Sequence, residues 1–310
     1  MYINQVISNM WRIRNLVSIK RALQSYQYIS DIHLNRNGYP RLKEVAANLI
    51  IAGDLDDGWS DKTTNWLRQL SPNYNKIFVV LGNHEYYDSV INKSQYICEI
   101  LDRTSNIANL TILDDHYYNT YFDQENNIIL YGTTLWSHIP SKYHLHYQKH
   151  TAEFDRTNIS IETYNELHRN AIDKLEIFSD ITLSENVFLR DVGKTDINIA
   201  LNPVIPVIIT HHAPMIKYCC HQRYFRNRLK YLNHMYCSDL VALTEKFGER
   251  YNPFWIFGHT HYHTSVSINN VFLGSNPIGL PKLPKNREGP KANEKTLYDL
   301  YLKCERNTRN

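Results

Sequence analysis

Ile77-Phe-Val-Val-Leu-Gly-Asn-His-Glu85 decides the fold. An apolar, β-branched run that stops at glycine reads as a strand buried on both faces. Its carboxyl end delivers an amide and an imidazole, Asn83 and His84, one after the other. In open α/β sheets that end is where ligands collect. The same design recurs upstream. Tyr26 to Ile32 is a buried strand running into His33, so Asp31 and His33 share one strand face, about 6–7 Å apart. Leu49 to Ala52 is another and runs into Gly53-Asp54-Leu55-Asp56-Asp57-Gly58. Helices are expected at Arg41 to Ala47, Asp61 to Leu70 and Asp88 to Asp102. Strand and helix then alternate, which predicts an α/β sheet layered with helices.

Downstream, strands are expected at Asn127 to Tyr131, Val204 to Thr210 and Phe254 to Phe257. The last two run into His211-His212-Ala213-Pro214 and Gly258-His259-Thr260-His261. Residues 138–202 break the pattern and read as an insertion or lid over the sheet edge, with a helix from Ser160 to Phe178. A basic loop follows at about 215–237. Residues 25–280 are read as one catalytic domain. Residues 281–310 are read as a basic tail whose last stretch, Thr296 to Cys304, is a terminal helix. Residues 1–24 hold Arg12, Arg14, Lys20 and Arg21 and no acid. They are read as an accessory helix, with an organelle transit peptide as the lesser alternative.

The chain has 310 residues, 43% hydrophobic and 21% charged, the composition of an ordinary globular protein. Its net charge of +3 is too small to imply nucleic acid or a membrane surface. Five unevenly spaced cysteines suggest no disulfide framework, so a reducing, cytoplasmic setting is expected. No apolar run approaches the roughly 18 residues of a membrane helix.

The strand ends thus present Asp31, His33, Asp54, Asn83, His84, His211, His259 and His261. Oxygen and nitrogen donors without a thiolate suit Mn²⁺, Fe or Zn²⁺. With His84 set aside as a proton donor, the other seven positions are too many for one ion and right for two that share a carboxylate. Two-metal hydrolases hold their ions about 3.5–4 Å apart, and Asp54 is the candidate bridge. Two divalent ions against Asp31, Asp54 and a bridging hydroxide leave a positive centre, suited to a phosphate ester.

Asp31-x-His33, Gly53-Asp54-x-x-Asp57, Gly82-Asn83-His84-Glu85, Thr210-His211-His212-x-Pro214 and Gly258-His259-x-His261 together resemble the calcineurin-like metallophosphoesterase superfamily. The five blocks occur in that family's order, from Tyr26 to about Gly279. The resemblance implies a four-layer αββα sandwich of two mixed sheets flanked by helices. It implies that Asp31, His33, Asp54 and His261 hold one metal, and Asp54, Asn83, His211 and His259 the other. It implies also that His84 is no ligand but the general acid, oriented by Asp57, for a phosphomonoester or phosphodiester attacked by the bridging hydroxide. A phosphorylated small molecule or nucleotide is the expected substrate.

Thr133 to Ser137, Tyr236 to Leu240 and Asn276-Pro277-x-Gly279 resemble blocks in uncharacterised microbial and viral members. Gly58 directly follows Asp57, where the family's Ser/Thr protein phosphatases carry Arg then Gly. Glu85 stands where its repair nucleases carry Asp. Those two activities remain the alternatives, and a non-catalytic scaffold on the same fold is a more distant one. His212 is a substrate-binding candidate and the alternative to His211 as ligand. Arg223 and Arg226, interleaved with Tyr224 and Phe225, are read three ways: a nucleotide or nucleic-acid surface, a phosphate-gripping lid, or a solvated face. Cys219, Cys220, His221, His234 and Cys237 match no trusted zinc spacing and are read as ordinary loop residues.

Overall fold

The computed structural model describes residues 17–89, 92–116, 118–151, 153–183, 204–221, 230–249, 251–279 and 294–308. Among the described residues, ten strands form two sheets. The first holds β1 (Tyr26–Ile29), β2 (Asn48–Ala52), β3 (Lys76–Val80) and β4 (Leu110–Leu113) in that order, parallel throughout. The second holds β5 (Thr120–Asp123), β6 (Ile128–Thr133), β7 (Ile205–Thr210), β8 (Phe254–Phe257), β9 (Thr264–Ile268) and β10 (Val271–Ser275). Its order is β5-β6-β7-β8-β10-β9; the edge strands β5 and β9 are antiparallel to their neighbours and the inner pairs are parallel.

Strand periodicity builds the layers. On β2 and β3, Ile50, Ala52, Phe78 and Val80 point at the second sheet and meet Val207, Ile209, Phe254 and Ile256. The alternate residues Leu49, Ile51, Ile77 and Val79 point outward to Trp66, Leu67, Ile97 and Ile100 of helices Asp61–Leu70 and Lys93–Thr104. On the second sheet, Ile208, Trp255 and Phe257 point outward to Leu175, Phe178 and Phe247 of helices Ile161–Leu183 and Val241–Gly248. Both faces of both sheets are therefore apolar, which is why the strands read as continuous hydrophobic runs. Each such side chain contributes about 1.5–3 kcal/mol when fully buried. The result is a four-layer αββα sandwich, with one sheet wholly parallel rather than mixed.

Several local expectations change. Residues 41–45 are not helical: Gln27 takes up their backbone groups, accepting from the N–H of Val45 at 3.2 Å and donating to the carbonyl of Lys43 at 3.2 Å. The helix expected from Asp88 begins at Lys93, because the Asn92 side chain accepts from the N–H of Gln95 at 2.9 Å and fixes the N-terminus there. Strands β4 and β5 gave no clear signal in sequence; each is four residues long, and β5 is a half-exposed edge.

Residues 17–24 are helical, and Ala22 and Leu23 join the core between the sheets. The stretch read as a tail ends in helix Leu297–Thr308, whose Leu297, Leu300 and Cys304 pack into the same core. Among the described residues, no helix is long and apolar enough to cross a membrane.

Candidate metal centre

The parallel strands of both sheets end at the same side of the seam. Asp31 and His33 follow β1, Asp54 follows β2, Asn83 and His84 follow β3, His211 follows β7, and His259 and His261 follow β8. Asp31, His33, Asp54, His259 and His261 have φ values of 52°, 47°, 57°, 63° and 49°. Residues other than glycine rarely adopt this left-handed region, and where they do they cluster at functional sites. The shared strand face expected for Asp31 and His33 is thus revised. β1 stops at Ile29, and a left-handed turn at each residue aims it inward. Backbone bonds lock the turns: Asp31 donates to the carbonyl of Gly53 at 3.0 Å, and Ile32 and His33 donate to that of Asp54 at 2.7 and 3.0 Å.

Gly82 is required by close approach. A Cβ there would stand 2.2 Å from Asp54 Oδ1 and 2.9 Å from His211 Cε1. The end of β3 passes directly over the carboxylate.

Two groups of donor atoms that share Asp54 result, and a third set, His33, Asp57 and His84, lies beside them. In the first, Asp31, His33, Asp54 and His261 each offer one atom, all within 4.8 Å of one another. The Nε2 atoms of His33 and His261 face each other at 3.1 Å, and His261 Nε2 lies 3.3 Å from Asp31 Oδ1. In the second, His211 Nε2 lies 3.1 Å from Asp54 Oδ1, 3.1 Å from Asn83 Oδ1 and 3.2 Å from His259 Nδ1. The far nitrogens are occupied. His211 Nδ1 lies 2.9 Å from the carbonyl of Ala52, and His259 Nε2 lies 3.3 Å from that of Met235. A nitrogen facing a carbonyl carries a proton, so each ring, once neutral, presents a lone pair on its inner nitrogen. Lone pairs and carboxylate oxygens converging on two points call for positive charge between them. The donor set fits a pair of divalent cations.

Electrostatics say the same. Burial disfavours a charged Asp54, but the imidazoles of His211, His84 and His33 outweigh it and hold the carboxyl well below its usual range. Burial also presses His211 down, yet Asp54 and Asp31 push it up to about 9. His33 is instead depressed to about 4, chiefly by burial.

His84 stands beside the two groups. Its Nδ1 lies 2.5 Å from Asp57 Oδ1, and its Nε2 lies 3.8 Å from Asp54 Oδ2. Burial lowers its pKa, but Asp54 and the bond to Asp57 raise it above the ordinary imidazole value. Asp57 is held low against its burial by His84 and by Arg156, whose Nη1 donates to Asp57 Oδ2 at 2.8 Å. Arg156 also donates to Asp88 at 2.6 Å and lies over the ring of Tyr87, which in turn packs against His84.

Three participants escaped the sequence reading. Glu85 is fully buried, and its two oxygens accept from the N–H groups of Gly82, Asp54, Leu55 and Asp56 at 2.5–3.2 Å. It ties the loop that carries Asp54 to the loop that carries Asn83. Burial and the charge of Asp54 push its pKa up to about 7. Glu85→Gln is expected to destabilise the metal-free protein by roughly 1–3 kcal/mol, since an amide N–H₂ would face donors already pointing at it. An unchanged urea midpoint would show that the loop does not depend on this carboxylate. The other two, Glu153 and Arg156, lie in helix Glu153–Thr157, within the stretch read from sequence as an insertion.

His212 does not reach the donor groups. It is fully buried, with Nδ1 3.2 Å from the carbonyl of Thr134 and Nε2 3.0 Å from the hydroxyl of Tyr164, and its ring packs on His259 at 4.1 Å. Its expected role as a substrate contact is revised: it braces a candidate ligand. Arg223 and Arg226 lie outside the described residues. Cys219, Cys220 and Cys237 are buried behind the second sheet, with the sulfurs of Cys220 and Cys237 2.8 Å apart.

The blocks outside the ligand set are braces. Asn276 donates to the carbonyl of Tyr28 at 2.9 Å, and the N–H of Gly279 donates to that of Asp31 at 2.9 Å. Thr134 Oγ1 donates to the carbonyl of Leu81 at 2.8 Å, and Ser137 Oγ to those of His234 and Met235.

The chain is 25% identical over 282 residues to Uncharacterized protein L509 of Acanthamoeba polyphaga mimivirus, an alignment that covers 82% of this chain and 90% of that protein. Its fold is similar to the crystal structure of Phosphopantetheinyl Hydrolase (PptH) from Mycobacterium tuberculosis. The TM-score is 0.59 at 14% identity, over 84% of this chain and 90% of the other. The family described as calcineurin-like phosphoesterase matches residues 28–263, and that span takes in both donor groups. By that match, the chain belongs to the calcineurin-like phosphoesterase family.

Proposed function

We propose that the protein is a dinuclear metal-dependent phosphoesterase, hydrolysing a phosphomonoester or phosphodiester of a small molecule or nucleotide with His84 as general acid. One observation carries the reading: two buried donor groups share Asp54, with an Asp57-paired imidazole beside them. Asp31, His33, Asp54 and His261 would hold one ion, and Asp54, Asn83, His211 and His259 the other. Bound there, a pair of divalent cations would lower the pKa of a water and neutralise charge on the phosphoryl group.

The remaining chemistry belongs to the side chains. Asp57 accepts from His84 Nδ1–H and fixes the ring, so Nε2 carries the proton that can move. The raised pKa holds that proton to higher pH than an ordinary imidazole would. The His84 side chain is only partly buried, so a leaving-group oxygen can approach the ring. Once the proton has left, Arg156 keeps Asp57 ionised to take up the ring again.

The test is a panel of phosphomonoesters, phosphodiesters, nucleotides, phosphopeptides and single- and double-stranded DNA, assayed with Mn²⁺. Turnover of small esters or nucleotides, lost on chelation and restored by Mn²⁺, is the expected result. Cleavage of DNA or phosphopeptides alone would favour the nuclease or the protein phosphatase. No turnover of any member by metal-loaded protein would remove the enzymatic reading.

A further inference from the structure

We infer that Glu153, supplied by the insertion, is a positioning residue for Asn83 and sets the affinity of the second cation position. The inference rests on the dinuclear reading above and extends it to a segment without any recognised motif.

An amide can ligate a cation only through its oxygen, and the two ends of an Asn side chain have nearly the same shape. Something must therefore dictate which end faces the ion. Asn83 Nδ2 donates to Glu153 Oε2 at 2.9 Å and to the hydroxyl of Tyr87 at 3.1 Å. Tyr87 passes its own proton to the same Glu153 oxygen at 2.5 Å. Both amide hydrogens are thus spent on the side away from the ligand cluster. Asn83 Oδ1 is left on the other side, 3.1 Å from His211 Nε2. A flipped amide would place its oxygen against a carboxylate. Glu153 is 7% exposed, and its Oε1 has no hydrogen-bond partner among the described residues. A buried carboxylate with one idle oxygen is costly, so its presence here argues for a task at the other oxygen. Here that task is the orientation of a candidate ligand. Groups that orient metal ligands typically change metal affinity about 10–100-fold when removed.

The experiment is calorimetric titration of Mn²⁺ alone into metal-stripped, full-length protein, with thermal melting of each metal-free variant alongside. The parent is expected to take up two ions. E153L, which removes the acceptor, should weaken one of the two binding events by about 10–100-fold and leave the other unchanged. E153Q, whose carbonyl can still accept from Asn83, should stay within a few-fold of the parent. In the reversed pair, N83D should lose the second event because two carboxylates meet, and N83D/E153Q should regain it because Gln donates where Glu accepted. That rescue cannot come from a merely structural role, and it keeps the inference testable if E153L fails to fold. A parent that takes up a single ion would defeat the dinuclear reading and this inference with it. Two-ion uptake by the parent would leave that reading standing. In that case, E153L titrating like the parent, both events weakening equally, or N83D without rescue would overturn the inference alone.

Discussion

Asp54→Asn is expected to lower turnover by about 10³-fold or more and to leave the protein unable to hold two ions. The magnitude follows from comparison: removing one preorganised group that stabilises transition-state charge costs about 10²–10³-fold, and Asp54 serves two groups at once. Its Oδ1 faces His211 Nε2 at 3.1 Å and its Oδ2 faces His33 Nε2 at 3.8 Å, so the two proposed cation positions lose the one negative charge that they share. An amide of the same shape can still accept the N–H of His84, which Asp54 Oδ1 accepts at 3.1 Å. The fold should therefore survive. The measurements are elemental analysis after equilibration with Mn²⁺ and turnover of bis-p-nitrophenyl phosphate. A variant as fast as its parent, or one that retains both ions, would end the account.

The second large effect is expected at His84. His84→Ala should retain the metal content of the parent and slow the hydrolysis of an alkyl phosphate ester by about 10²–10⁴-fold, the usual contribution of general acid catalysis. A p-nitrophenyl ester, whose leaving group needs little protonation, should suffer much less. Equal losses on both substrates would take His84 out of that role. The pH dependence supplies a finer test. The acid is active when protonated, so the rate on the alkyl ester should fall as pH rises through the pKa of His84. Asp57 raises that pKa by its hydrogen bond and its charge. Asp57→Asn removes both, the ring loses its proton at lower pH, and the descending limb should move to the acid side. A limb that stays in place would mean that some other group is titrating.

The strands of the α/β architecture were legible because they are buried on both faces, whereas the two-sheet sandwich was implied only by the family resemblance. Runs such as Leu49 to Ala52 and Phe254 to Phe257 have no polar alternation to confuse them, and each ends in a chemically distinctive block. The candidate ligands were legible for the same reason: Asp31, Asp54, Asn83, His211, His259 and His261 follow strand ends closely. The mechanism of their convergence was not. Left-handed backbone at five of the seven positions aims the side chains, and nothing in the residue types announces it. Glu85 was visible only as a letter beside His84, because the four N–H groups that it binds come together only in the folded loops. Glu153 and Arg156 lie 70 and 99 positions from Asn83 and Asp57. Their spacing on one helical turn is the sole local signal, and surface helices of ordinary proteins share it.

The seam between the sheets has a consequence for any pair of cations held there. Each proposed position draws oxygen donors from the parallel sheet and at least one imidazole from the mixed sheet, so two bound cations would act as rivets through both layers. How far apart they sit is then governed by the interleaved side chains that hold the layers in register. Phe78 and Phe254, packed in the core between the layers, would then help to set the geometry at the rim.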